Sequence, residues 1–213
     1  MPVRVVFFDL GETLLSEARA WTGWADWLGV TPLTLFGVLG SVIERGEHHH
    51  RAFEIVHPGF DLDHERARRT AAGDLDVFGA DDLYPDAIPC LVDLRAAGYR
   101  VGIAGNHPEE FARQLRHLNV PVDLVGSAAE WRVAKPSPAF FDRLVRLAGV
   151  QPGEVAYVGD RVDHDVLPAK AAGLVSVFLR RGPWGHVHAT RPDAARADIR
   201  LESLMGLRHA LTA

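Results

Sequence analysis

From Ala87 onward the chain alternates short apolar runs with longer stretches of helical spacing, and that rhythm limits its folds more than any single residue does. "IPCLVDLRAAG" is apolar at helical spacing and stops at Gly98, a common residue just past a helix end. "RVGIAG" reads as a buried strand, "NHPEEFARQLRHL" as a helix with Asn106 or His107 near its cap and Pro108 in its first turn, and "VDLVG" as another strand. The helix "PAFFDRLVRLAG" follows, ended by Gly149. Then come "VAYVGD", a strand ending in Asp160, the short helix "DVLPAKAAG", the strand "LVSVFL", and a closing strand and helix within "DIRLESLMGLRHAL". Successive strands joined through helices require right-handed crossovers and a parallel sheet with helices on both faces.

Residues 15 to 83 interrupt this rhythm. After a first strand ending at Asp9, the stretches "ARAWTGWADWLGV", "LTLFGVLGSVIERGEHHHRAFEIV" and "DHERARRTAAGDLDVFG" carry helical periodicity and no strand pattern. The expected organisation is a Rossmann-like α/β core of residues 1–14 and 84–213, with 15–83 inserted as a helical domain. Trp21, Trp24 and Trp27 recur every third residue, a stripe that packs the insertion's own core or lines a pocket. Adjacent helical positions lie about 100° apart, so His48, His49 and His50 in one helix share no face and read as solvated or pocket-rim residues rather than metal ligands. "RRGPWGHVH", residues 180–188, reads as a surface loop following a strand end.

Composition bears on partners and compartment. A net charge of −5 offers no basic face, so neither nucleic acid nor an anionic membrane surface is an expected partner. No apolar run approaches the roughly 18 residues of a membrane helix. The first strand starts directly after "MPVR", leaving no space for a signal peptide, and Cys90 is the single cysteine; the expected location is the cytoplasm. Nothing in the pattern sets the oligomeric state.

In an open parallel sheet, ligands bind outside the carboxyl ends of the strands. Four polar features fall there: Asp9, Gly105 with Asn106, Lys135, and the acids Asp160, Asp163 and Asp165. Singly, Asp9 caps a turn, Lys135 is a solvated lysine, and "GDRVDHD" is an acidic helix start favoured by the dipole. Their joint appearance along one sheet edge is a stronger signal than any one of the four alone.

In these residues the chain resembles the haloacid dehalogenase-like hydrolase superfamily, whose signature is four motifs at strand ends. "VVFFDLGETLL" is similar to the first, "VGIAGN" to the second, "KPSPAFF" to the third and "VAYVGDRVDHDVLPAKAAG" to the fourth; the insertion falls where many members carry a helical cap, which would chiefly set specificity. The resemblance implies a phosphatase of small phosphorylated metabolites in which Asp9 attacks phosphorus to give an aspartyl-phosphate that water then hydrolyses. It implies Mg2+ held by Asp9, the main-chain carbonyl of Gly11, Asp160 and Asp165, with Asp163 as an extra acid of the motif. Lys135 would pair with Asp9 and the phosphoryl group, and Gly105 and Asn106 would help bind the phosphate.

Two positions depart from the family pattern. Gly11 stands where phosphatases of this superfamily carry a second aspartate that protonates the leaving alkoxide, a contribution on the order of 100- to 10,000-fold. Gly105 stands where a Ser or Thr hydroxyl usually holds a phosphate oxygen. Glu12, a cap residue or water are the stand-ins for the missing acid. The alternatives are therefore an attenuated member that binds a phosphometabolite or protein partner, and a dehalogenase. The latter also lacks the second aspartate but works without metal, against which the intact acidic cluster argues.

Overall fold

The computed structural model describes residues 2–74, 78–107, 114–115 and 118–212. Six strands form one sheet: β1 (Val5–Phe8), β2 (Arg100–Gly105), β3 (Leu124–Ser127), β4 (Val155–Gly159), β5 (Val175–Leu179) and β6 (Ile199–Leu201). Their order is β3-β2-β1-β4-β5-β6 and every pairing is parallel. All four residues of β1 are fully buried, as expected where a central strand is covered on both faces. Alternate residues serve opposite faces: Val5, Phe7, Val155 and Tyr157 share a cluster with Phe140, Phe141, Leu144 and Ala148 of the helix Pro138–Ala148. That helix ends at Gly149 with φ of 67°, the left-handed turn glycine adopts without steric cost.

The chain divides into two compact units, Met1–Ser16 with Leu83–Ala213, and Glu17–Asp82. The second is helical: α1 (Ala18–Trp27), α2 (Pro32–Glu44), α3 (Arg51–Val56) and α4 (Leu62–Ala71). Its core is aromatic. Trp21 stacks on Phe53 with centroids 5.1 Å apart, Trp24 lies 5.2 Å from Phe53 and 5.8 Å from Phe60, and the buried Arg69 guanidinium sits 4.2 Å over Trp24. Trp27, half-buried, donates to Glu65 at 2.8 Å. The tryptophan stripe thus packs its own unit. No single helix among the described residues is long and apolar enough to cross a membrane.

Two sequence expectations are corrected. Residues 182–188 form a helix with Trp184 and His188 buried, not a surface loop. His48, His49 and His50 precede α3 instead of lying within a helix, so the argument from 100° spacing does not apply to them. Most of the helix expected over 106–118 lies outside the described residues.

At the sheet edge, Asp198 joins β5 to the start of β6. Its carboxylate accepts from the Ser176 amide at 2.9 Å and hydroxyl at 2.7 Å, and it pairs with Lys170. Burial alone would raise this carboxyl; the bonds from Lys170 and Ser176 outweigh it and hold it below 3.8. A depressed carboxyl stabilises the fold above its ordinary value, and that stability is lost as pH falls through the lower folded value. Asp198→Ala is accordingly expected to cost about 1 kcal/mol in urea unfolding at pH 7, discounted for partial exposure, with the difference from wild type shrinking in acid below about pH 4.

Candidate active site

The site grows out of β1. Buried valines and phenylalanines carry the strand to Asp9, whose amide donates to the Val158 carbonyl of β4 at 2.8 Å. The chain then turns tightly, the amides of Thr13, Leu14 and Leu15 all donating to the Leu10 carbonyl, with Gly11 inside the turn and Glu12 in the left-handed region at φ 54°. From β4, Asp160 follows directly and Asp165 lies in a single π-helical turn, Val162–Val166. A carboxylate oxygen from each of Asp9, Asp160 and Asp165 lies within 4.8 Å of the others.

Lys135 enters this group from the loop before the helix Pro138–Ala148. Its Nζ lies 2.9 Å from Asp9 Oδ1 and 2.6 Å from Asp165 Oδ1, with the side chain 3% exposed, and 5.4 Å from the centroid of the Tyr157 ring. Burial alone would lower the ammonium's pKa; the charges of Asp165 and Asp9 outweigh it and raise it well above 10.5, so Lys135 is a fixed cation. Tyr157 is fully buried and donates to the Ala104 carbonyl at 2.6 Å.

Asn106 clamps the lysine's backbone. Its Oδ1 accepts from the Lys135 amide at 2.8 Å and its Nδ2 donates to the Lys135 carbonyl at 3.0 Å. Its side-chain amide is therefore spent on positioning, and the main chain at 105–106 is what it leaves for an anion. Gly105 has a steric reason to be glycine: a Cβ there would stand 2.4 Å from Asp9 Oδ1 and 3.1 Å from the His107 ring. Gly105→Ser, which restores the hydroxyl of the family pattern, is therefore expected to lower activity by up to about 100-fold by displacing Asp9; an increase in kcat would contradict this packing.

Three carboxylates face one ammonium. Burial, reinforced by Asp165, Asp9 and Glu12, pushes the Asp160 carboxyl well above 3.8. Asp160 Oδ2 is buried and makes no hydrogen bond among the described residues. An orphaned buried carboxylate oxygen, an all-oxygen donor set and unbalanced negative charge fit a hard divalent cation such as Mg2+, for which Asp9, Asp160 and Asp165 could supply side-chain oxygens. Asp163 lies outside this group. It is bound by Arg161 at 2.8 and 3.1 Å and lies 3.0 Å from His164. Glu12 is also engaged elsewhere, accepting from Tyr84 Oη at 2.5 Å and packing where a Cβ on Gly182 would collide with it.

With this geometry in view, the comparison that decides the family is direct: a family model for haloacid dehalogenase-like hydrolases matches residues 3–173. The chain belongs to the haloacid dehalogenase-like hydrolases. Among curated relatives of this hydrolase, a glyceraldehyde 3-phosphate phosphatase of Methanopyrus kandleri is 35% identical over 113 residues, 52% of this chain and 48% of that protein. A phosphoserine phosphatase of Thermus thermophilus is 30% identical over 139 residues, 64% of this chain and 56% of that one. The matched segment thus spans about half the length of these relatives. Among solved structures, a HAD phosphatase from Thermococcus onnurineus aligns at TM-score 0.61 and 25% identity, covering 98% of each chain. An L-2-haloacid dehalogenase aligns at TM-score 0.70 and 19% identity over the whole of both chains, a likeness of fold alone.

Two residues that build the hydrolase site escaped the sequence reading. Gly159 is one: a Cβ there would lie 2.3 Å from the Asp165 carboxylate, so the glycine makes room for the acid. His188 is another, accepting the Val162 amide on Nδ1 at 3.0 Å and so securing the first residue of the π turn. Neither carries a local motif; each is defined by a neighbour across the fold.

Proposed function

We propose that this chain is a Mg2+-dependent phosphatase of small phosphomonoesters acting through Asp9. The observation that carries the reading is the buried Lys135 held between Asp9 and Asp165 beside the orphaned Asp160 oxygen. A phosphomonoester dianion approaches a carboxylate only where its charge is countered; Asp9, Asp160, Asp165 and the Gly11 carbonyl would hold Mg2+, which would supply that neutralisation. Asp9 attacks phosphorus, its Oδ–P bond forming as the ester P–O bond breaks, and water then cleaves the aspartyl-phosphate to regenerate Asp9 and release inorganic phosphate. Lys135 orients Asp9 and pairs with the transferring phosphoryl group, while the backbone at Gly105 and Asn106 binds its oxygens. The relatives named above suggest short phosphorylated metabolites of the glyceraldehyde 3-phosphate and phosphoserine kind, and the helical insertion serves as the substrate-selecting cap.

Gly11 supports a second reading, an attenuated member that binds a phosphorylated metabolite without useful turnover. Position 11 has no carboxyl to protonate a departing alkoxide, and Glu12 is committed to Tyr84. Leaving groups separate the readings. An aryl phosphate needs little acid help and is expected to turn over with Mg2+, whereas alkyl phosphates lag by roughly 100- to 10,000-fold. Absence of turnover with either class, together with failure to bind beryllofluoride, would refute the enzyme. The dehalogenase reading is disfavoured by the acidic group, which chemistry at carbon does not need.

A further inference from the structure

A second cluster of ligating side chains lies in the helical unit, outside the acidic site. We propose that His48, His49 and His50 form a metal site that takes a borderline transition ion, such as Zn2+, Ni2+ or Cu2+, on imidazole nitrogens. One ring nitrogen from each histidine lies within 4.8 Å of the other two, and the ring centroids are 4.3, 4.4 and 4.3 Å apart pairwise.

Consecutive residues bring three rings together because the backbone here is neither helix nor strand. Helix α2 closes at Gly46 (φ 68°), with the Gly46 amide on the Ile43 carbonyl and the Glu47 amide on the Val42 carbonyl, a Schellman closure. The carbonyls of His48, His49 and His50 then accept, in order, the amides of Arg51, Ala52 and Phe53, the first three of α3. The turn is thus pinned from both sides. Two rings have lateral support, His49 lying 6.1 Å from Trp21 and His50 6.3 Å from Phe53; the exposed His48 accepts the His50 amide on Nδ1 at 3.3 Å.

The donor set sorts the ion. Imidazole suits zinc, nickel and copper, whereas the all-oxygen group at Asp9 suits magnesium, so the two sites take different metals from one solution. Three nitrogens leave a fourth position for water, as in open zinc sites with Zn–N of about 2.0–2.1 Å.

The test is calorimetric titration of the untagged full chain with Ni2+ in excess Mg2+, which keeps the oxygen site occupied. One Ni2+ per chain is expected for the wild type and equally for Asp160→Asn. His49→Gln should weaken binding by at least the roughly 10- to 100-fold that even a supporting residue of a metal site commands. His48→Gln gives an independent reading, since it leaves the packing of Trp21 and Phe53 untouched. Failure of the wild type to take up Ni2+, undiminished affinity in both histidine variants, or loss of the site in Asp160→Asn would each overturn the proposal.

Discussion

Asp9→Asn is expected to reduce turnover by a factor on the order of 10^4 to 10^6, the scale on which loss of a covalent nucleophile acts. The substitution is nearly isosteric, but an amide oxygen lacks the charge and nucleophilicity to displace an alkoxide from phosphorus. The fold should survive it. Lys135 keeps Asp165 as a partner at 2.6 Å, and removing one of three crowded carboxylates relieves repulsion. The check is Mg2+-dependent phosphate release by the variant alongside its thermal melt. Residual activity at the wild-type level would mean that a contaminant or another mechanism is responsible.

Lys135→Met is the counterpart with the largest expected cost to stability. It removes the single ammonium facing Asp9, Asp160 and Asp165, of which Asp165 is fully buried and Asp160 nearly so. Breaking a buried pair by deleting one partner typically costs about 3–5 kcal/mol, because the remaining charge is left uncompensated. Urea unfolding at pH 7 without divalent cations should show a loss of this size. Mg2+ should recover part of it, since a ligand bound only by the folded state stabilises by mass action. Turnover should stay lost in both conditions, because the methionine thioether offers a phosphoryl group no charge. A variant as stable as the wild type in chelator would contradict the electrostatic account of the site.

The sheet was legible because buried parallel strands are continuous apolar runs bounded by turn residues. "RVGIAG" corresponds residue for residue to β2, and the helix after "KPS" runs from Pro138 to Ala148 with its glycine stop at Gly149. Asp9, Lys135, Asp160 and Asp165 could be placed near one another from their positions at strand ends, since topology alone gathers those ends. The clamp from Asn106 to Lys135 spans 29 residues and is set by tertiary packing, so nothing local announces it. Residues 182–188 open with Gly-Pro, which suggests a loop; burial of Trp184 and His188 overrides that weak propensity. Residues 44–51, "ERGEHHHR", hold no apolar side chain, so no periodicity marks whether a helix continues or breaks at His48 to His50. The decisive signal was the left-handed glycine that closes α2, and it is readable in the sequence only as one glycine among twenty.

The most direct test of the central claim is to identify where phosphorus resides during turnover. The enzyme is mixed with a 32P-labelled aryl phosphate and Mg2+, quenched in acid within the first turnover, reduced with borohydride and mapped by mass spectrometry. The acid-quenched protein is predicted to carry the 32P, and borohydride, which expels the phosphate as it reduces the acyl phosphate to an alcohol, should convert Asp9 alone to homoserine within the peptide carrying "VVFFDLGETLL". Turnover without trapped label, or conversion of any other residue, would contradict the account.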